Sequence, residues 1–287
     1  MSRIHEALRR QIGKEGTAPD QSAFRSAWET PGGKPAGAAS TAVRRTTNLV
    51  RAEGPVGPLS FSSAARPRLA SGTEADPGLL EQYRRLAATL HHAHLNNGLR
   101  SIMVSSAMPG DGKTLTAVNL ALVLSESYRY NVLLIDADLR RPSIQNVVDA
   151  GDRSGLSDAL RAEHEQPLAL ARLSERLTLL PAGPPIANSL EALTSPRMRH
   201  ILDEAAERFD WIIMDAPPVG PTADARILAE MVGGTLFVIH AGRTQFPEVR
   251  AAVDALGPER ILGVVLNGAK DVSTQPYYAA PAGDDRA

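Results

Sequence analysis

The chain has 287 residues, no cysteine, and a net charge of −1 from 31 Lys and Arg against 32 Asp and Glu. Without cysteine, disulfide scaffolds, thiolate zinc sites, Fe–S clusters and Cys nucleophiles are excluded, and a reducing compartment fits. The balanced charge and the 4% aromatic content argue against nucleic-acid binding, which draws on excess positive charge and on base stacking.

The N-terminus opens with Ile4, Leu8 and Ile12 at four-residue spacing among Arg3, Arg9 and Arg10. This predicts a short amphipathic helix, capped by Ser2, that would need a partner or a membrane surface to be stable. It has no apolar core and does not read as a secretory signal. Residues 1–75 hold 11 Lys and Arg against 6 Asp and Glu, a net of +5 that leaves −6 for the remainder. They are rich in Gly, Pro, Ala, Ser and Thr, so residues 13–75 are expected to form a flexible linker. No run of about 18 apolar residues exists anywhere, so no transmembrane segment is expected.

At Asp76-Pro77 the pattern changes to an N-cap and first helical residue, followed by Leu79, Leu80, Tyr83, Leu86 and Leu90 at helical spacing. Six apolar runs then read as strands: 102–104, 132–135, 177–180, 211–214, 236–239 and 261–266. Ala- and Leu-rich helical stretches separate most of them. Continuous apolar strands alternating with helices predict an α/β fold with a mainly parallel sheet flanked by helices. The expected organisation is an N-terminal helix and linker over 1–75, an α/β domain over 76–270, and a polar tail over 271–287 that carries Tyr277 and Tyr278.

The first strand runs into Ala107-Met108-Pro109-Gly110-Asp111-Gly112-Lys113-Thr114, and a helix follows. This fits a phosphate-binding loop. Gly110 and Gly112 let backbone N–H groups curl around phosphate oxygens, Lys113 reaches the β and γ phosphates, and the Thr114 hydroxyl meets Mg²⁺. The loop assigns the chain to the phosphate-loop NTPases and implies a nucleotide. The second strand ends in Asp136-Ala137-Asp138 and the fourth in Asp215. Carboxylates at the carboxyl ends of buried strands lie where open α/β sheets bind ligands, and Asp215 is placed to organise Mg²⁺. Asn267-Gly268-Ala269-Lys270 lacks the guanine-recognition pattern, so ATP is expected over GTP. Asn267 then either faces the base or caps its strand. Arg243 and Thr244 follow the fifth strand and either border the nucleotide or are ordinary loop residues. His91 and His94 share a helix face, but no carboxylate completes a zinc set there.

Taken together, these residues resemble the bacterial tyrosine kinases of exopolysaccharide and capsule synthesis. The resemblance covers about residues 76–270. It rests on the loop Ala107–Thr114, a Walker A′ segment Ile135-Asp136-Ala137-Asp138-Leu139-Arg140, and a Walker B segment Ile212-Ile213-Met214-Asp215-Ala216-Pro217. The start Met1-Ser2-Arg3-Ile4-His5-Glu6-Ala7-Leu8 is similar to that of soluble members that act beside a separate membrane protein.

The resemblance implies an ATP- and Mg²⁺-dependent protein-tyrosine autokinase that regulates exopolysaccharide polymerisation or export. Pro109, Gly110, Asp111, Gly112, Lys113, Thr114 and Asn267 would bind nucleotide, Thr114 and Asp215 the metal. Lys113, Asp136 and Asp138 would be catalytic, one carboxylate taking the tyrosine proton. Tyr277 and Tyr278 would be the phospho-acceptors. The implied partner is an inner-membrane polysaccharide co-polymerase of the chain-length determinant type, and the implied place is the cytoplasmic side, peripheral to the membrane. Self-association is implied by a Glu-x-x-Arg-x-x-Arg helix, of which Glu81 and Arg84 match while Ala87 stands at the last position. The competing readings are a MinD-like ATPase, which would carry a second Lys where Met108 stands, and a nucleotide-gated adaptor with little phosphotransfer.

Overall fold

Asp76 caps the first helix, its carboxylate accepting from the amides of Gly78 and Leu79 at 2.7 and 3.1 Å. With Pro77 at the first position, helix α1 runs Pro77–Asn97 and stops at Gly98, which adopts the left-handed conformation. The computed structural model describes residues 50, 60–71, 75–149, 154–164, 166–220 and 223–269. Backbone proximity divides the chain into Met1–Thr46 and Thr47–Ala287. The first unit, where a short helix is expected from Ile4, Leu8 and Ile12, and the tail with Tyr277 and Tyr278 both lie outside the described residues.

All six expected strands form: β1 (Ser101–Ser106), β2 (Val132–Asp136), β4 (Leu177–Leu180), β5 (Trp211–Asp215), β6 (Thr235–His240) and β7 (Ile261–Asn267). They make a parallel sheet, to which β3 (Ala171–Arg172) adds a short antiparallel edge. The strand order is β3-β4-β2-β5-β1-β6-β7. Two residues without an apolar run leave no strand signal, which is why β3 was not expected. Alternate residues feed two cores. Met103, Leu133, Ile135, Met214 and Phe237 face one side of the sheet. Ile102, Val104, Leu134, Ile213 and Val238 face the other. Burial on both faces requires the continuous apolar runs read in the sequence.

Six further helices complete the layers among the described residues: α2 (Lys113–Glu126), α3 (Leu156–Arg161), α4 (Ser189–Thr194), α5 (Pro196–Arg208), α6 (Asp224–Ala229) and α7 (Phe246–Leu256). Helix α2 follows the phosphate loop and is apolar nearly all round, so it must be covered on every side. Helix α1 covers part of it. The sheet covers another side through β1, β2 and β5, and residues 60–71 pack on it as well, which corrects the expectation of a flexible linker reaching residue 75. Ala65, Leu69 and Ala70 are buried. Asn119, buried in α2, accepts from the Ala70 amide at 2.8 Å and donates to the Arg68 carbonyl at 2.9 Å. At its other end this strap pairs with the chain after β2. Phe61 bridges Val148, and the Ser62 amide donates to the Val147 carbonyl at 3.0 Å. Composition suggests a linker because the strap is short and buries only a few apolar residues.

Glu81 and Arg84 lie exposed on α1, with Glu81 paired to Arg85 at 3.3 Å, whereas Ala87 is fully buried. The histidines of α1 are engaged locally. His91 Nδ1 lies 2.7 Å from the Tyr130 hydroxyl, and His94 Nδ1 lies 2.8 Å from the Leu99 carbonyl.

Candidate active site

Parallel register brings the carboxylates together. Asp136 and Asp215 end neighbouring strands and stand directly opposite each other, while Val104 of β1 pairs with Asp215 on its other side. The loop leaving β1 therefore crosses the same sheet edge. Ser105 and Ser106 close β1 with polar ends, their hydroxyls donating to the carbonyls of Pro217 and Met108 at 2.7 and 2.8 Å. Gly110 and Gly112 sit at φ values of 84° and 100°. A side chain there would be strained, and a Cβ on Gly112 would stand 1.9 Å from the Asn267 amide nitrogen.

Lys113 projects between the strand ends, its Nζ 3.3 Å from Asp138 Oδ2 and 3.4 Å from Asp215 Oδ1. Thr114 donates to Asp215 Oδ2 at 2.7 Å. Asp136 accepts the amides of Ser143 and Ile144 at 3.0 Å each, and that of Asp138 at 3.3 Å. Asp138 accepts the Arg141 amide at 3.0 Å.

Three carboxylates around one ammonium set the local electrostatics. Burial works against the Lys113 charge, but Asp215, Asp138 and Asp136 outweigh it and hold the ammonium above its ordinary value. Burial, then the Asp215 charge, push Asp136 up to about 7, against its amide bonds and Lys113. Asp215 is raised by burial, opposed chiefly by Lys113 and the Thr114 hydroxyl.

A cleft of about 570 Å³ opens over this floor, lined among others by Gly110, Gly112, Lys113, Thr114, Asp138 and Ser143. The expected residues divide into two groups. Lys113, Thr114, Asp138 and Asp215 converge, with Asp136 directly behind them. Asp111 and Asn267 brace the loop instead. The buried Asp111 carboxylate accepts the Met108 amide at 3.0 Å and the Thr244 hydroxyl at 2.8 Å. Asn267 donates its side-chain amide to the Asp111 carbonyl at 2.8 Å. Arg243 donates to the carbonyls of Gly110 and Pro109 at 3.3 and 3.4 Å. Glu81 and Arg84 stand on the exposed side of α1, away from the cleft lining.

Ser143 was not expected among the site residues. Its hydroxyl lies 2.7 Å from that of Thr114 and 3.2 Å from Asp215 Oδ2. No local signal marks a serine five residues past Asp138. Thr114, Ser143 and Asp215 form a set of hard oxygen donors beside Lys113, which fits Mg²⁺. That ion keeps waters and takes one or two carboxylates plus phosphate oxygens, so it needs no cage built from protein alone. Among the described residues, no group of three or more acids and histidines is arranged to hold a metal ion.

Comparison with known proteins places this geometry in context. Residues 99–230 match the family model described as an AAA domain. The chain is 35% identical over 193 residues to the tyrosine-protein kinase YwqD of Bacillus subtilis, covering 66% of this chain and 81% of that protein. It is also 35% identical over 175 residues to the succinoglycan biosynthesis transport protein ExoP of Rhizobium meliloti, covering 58% of this chain but 22% of that longer protein. Among solved structures, the kinase domain of the Escherichia coli tyrosine kinase ETK superposes with a TM-score of 0.66 at 30% identity. The match covers 75% of this chain and 84% of that one.

Proposed function

The chain belongs to the bacterial tyrosine kinase family, and from that premise we propose that it is an ATP- and Mg²⁺-dependent protein-tyrosine autokinase regulating exopolysaccharide polymerisation or export. The observation that carries this reading is Lys113 held between Asp138 and Asp215 on the floor of an open cleft, directly after a glycine loop.

The loop amides and Lys113 bind the triphosphate and stabilise charge that grows on the transferred group. Thr114 and Asp215, with Ser143 beside them, would hold Mg²⁺. Bound there, Mg²⁺ would supply positive charge against the phosphate oxygens. A free tyrosine hydroxyl has a pKa of about 10, so its proton needs an acceptor. Asp138 suits that role, because it lines the cleft, whereas Asp136 is absent from the lining and spends its oxygens on backbone amides. As the tyrosine oxygen bonds to the γ-phosphorus, the bond to the bridging oxygen breaks. ADP leaves, and the proton passes to the Asp138 carboxylate. Asp136 holds the Ser143-Ile144 turn in place.

We assign Tyr277 and Tyr278 as acceptors, reached from a neighbouring copy through Glu81- and Arg84-mediated association. The partner is a polysaccharide co-polymerase of the inner membrane, and the protein works at its cytoplasmic face. No helix among the described residues is long and apolar enough to cross a membrane. The relatives' names favour this reading over a MinD-like ATPase or a passive adaptor. Incubation with ATP and Mg²⁺ followed by phosphotyrosine detection tests it. Lys113→Met is expected to abolish the signal in a protein that still folds, at a lower melting temperature because Asp138 and Asp215 lose their buried cation, and full activity in that variant would overturn the kinase assignment.

A further inference from the structure

The loop after β2 places Arg140 and Arg141 at the mouth of the cleft. Arg140 is held from behind. Its Nε donates to Asp224 Oδ2 at 2.9 Å, and the same carboxylate oxygen accepts the Ser189 hydroxyl at 2.5 Å. Asp224 is 2% exposed and Ser189 is fully buried. They come from α6 and α4, far from Arg140 in sequence. Taking a carboxylate out of water is costly, and the ion pair with Arg140 and the Ser189 hydroxyl are the compensating partners that Asp224 has here, so the buried carboxylate and the arginine fix each other's position. The tether uses only Nε. Among the described residues Nη1 and Nη2 make no hydrogen bond, so the terminal edge of the guanidinium stays free in a residue that lines the cleft.

Three carboxylates, Asp138, Asp215 and Asp136 behind them, surround one lysine at the cleft, and a nucleotide brings further negative charge. A planar fork with two free amino groups matches the oxygens of a phosphoryl group, which a lysine cannot reproduce. We propose that Arg140 is a catalytic residue that holds the phosphoryl group in transit, and that Asp224 and Ser189 are the positioning residues that aim it. This rests on the phosphotransfer reading above and adds a group that would steady charge from the cleft wall formed by the loop after β2. Arg141 has no such tether. Its backbone amide serves Asp138, and its side chain makes no hydrogen bond within the described residues.

The test compares Arg140→Lys, Arg140→Ala, Asp224→Asn, Ser189→Ala and the double variant Arg140→Ala/Asp224→Asn in the full chain. Four readouts are taken: phosphotransfer rate at saturating ATP, ADP affinity, affinity for ADP with aluminium fluoride as a mimic of the phosphoryl in transit, and melting temperature. Arg140→Lys is expected to slow the saturated rate about 10²-fold and to weaken the aluminium fluoride complex, with ADP affinity nearly unchanged. Asp224→Asn is expected to act in the same direction, about 10-fold, and to add nothing once Arg140 is alanine. Ser189→Ala keeps the ion pair and covers the case in which Asp224→Asn fails to fold; a several-fold slower rate at unchanged ADP affinity is expected. A wild-type rate with wild-type aluminium fluoride affinity in Arg140→Lys would overturn the proposal. So would fully additive losses in the double variant, which would make Asp224 a structural tie only. Wild-type protein without phosphotyrosine would instead overturn the kinase reading, and the aluminium fluoride affinities would still decide the role of Arg140.

Discussion

At the scale of single residues, the site stores unfavourable charge that its ligands would relieve. Asp136 is pushed up to about 7 by burial and by Asp215, far above an ordinary carboxyl. A raised folded-state value means that the native protein binds more protons than the unfolded chain between about pH 4 and 7. Stability from this group is therefore full at low pH and is lost as pH rises through about 7. The melting temperature of the nucleotide-free protein is expected to fall between pH 5.5 and 8. In Asp136→Asn that fall should flatten, since the amide has no charge to bury, and scanning calorimetry across the range checks it. Asp138→Asn separates chemistry from structure. It removes the proton acceptor but keeps the shape, so phosphotransfer should drop on the order of 10²-fold with smaller loss of nucleotide binding. Unchanged turnover would leave Asp138 as a partner of Lys113 alone. Gly112→Ala should destroy nucleotide binding outright, because its Cβ would displace Asn267 and its φ is left-handed; a titration with a fluorescent nucleotide measures this.

At the scale of elements, the strap over 60–71 is the feature with the clearest consequence. It connects the outer side of α2 with the chain just beyond Ser143 and Ile144, the residues whose amides hold Asp136. Two buried hydrogen bonds from Asn119 fix one end. Asn119→Ala strands a donor and an acceptor and is expected to cost about 2 kcal/mol in urea unfolding. The same variant should raise amide hydrogen exchange across 144–149 if the strap steadies that turn; exchange confined to residues near 119 would show that the two ends are independent. The all-round apolar sequence of α2 was a signal that such a cover exists, although nothing in the composition of 60–71 identified the cover itself.

At the scale of the whole molecule, the proposed tail chemistry links activity to association. Two adjacent phosphotyrosines would each add about −1.5 to −2 charges, and Asp138 and Asp215, with Asp136 behind them, already put carboxylates at the cleft. The product tail should therefore leave the site, and the assembly should loosen. Mass-spectrometric mapping after ATP treatment is expected to place phosphate on Tyr277 and Tyr278, and light scattering should show a lower mass than without ATP. A Tyr277→Phe/Tyr278→Phe variant that keeps most of its phosphotyrosine would end that assignment.

The sequence by itself determined the six parallel strands, the phosphate loop and the acidic strand ends. Each is written locally, in apolar runs buried on two faces, in glycines where φ must be positive, and in carboxylates placed where a buried strand meets solvent. Tertiary structure alone decided which of these residues meet. Asp136 and Asp215 are 79 positions apart and adjacent only because β2 and β5 pair in parallel register. Ser143 joins Thr114, Asp224 and Ser189 hold Arg140, and Asn267 turns to the loop backbone, all through contacts between elements remote in the chain. The strap is not legible in the sequence for the related reason that its few apolar residues, Ala65, Leu69 and Ala70, become a core only against the flank of α2, and a sequence records what a residue is but not which surface will come to cover it.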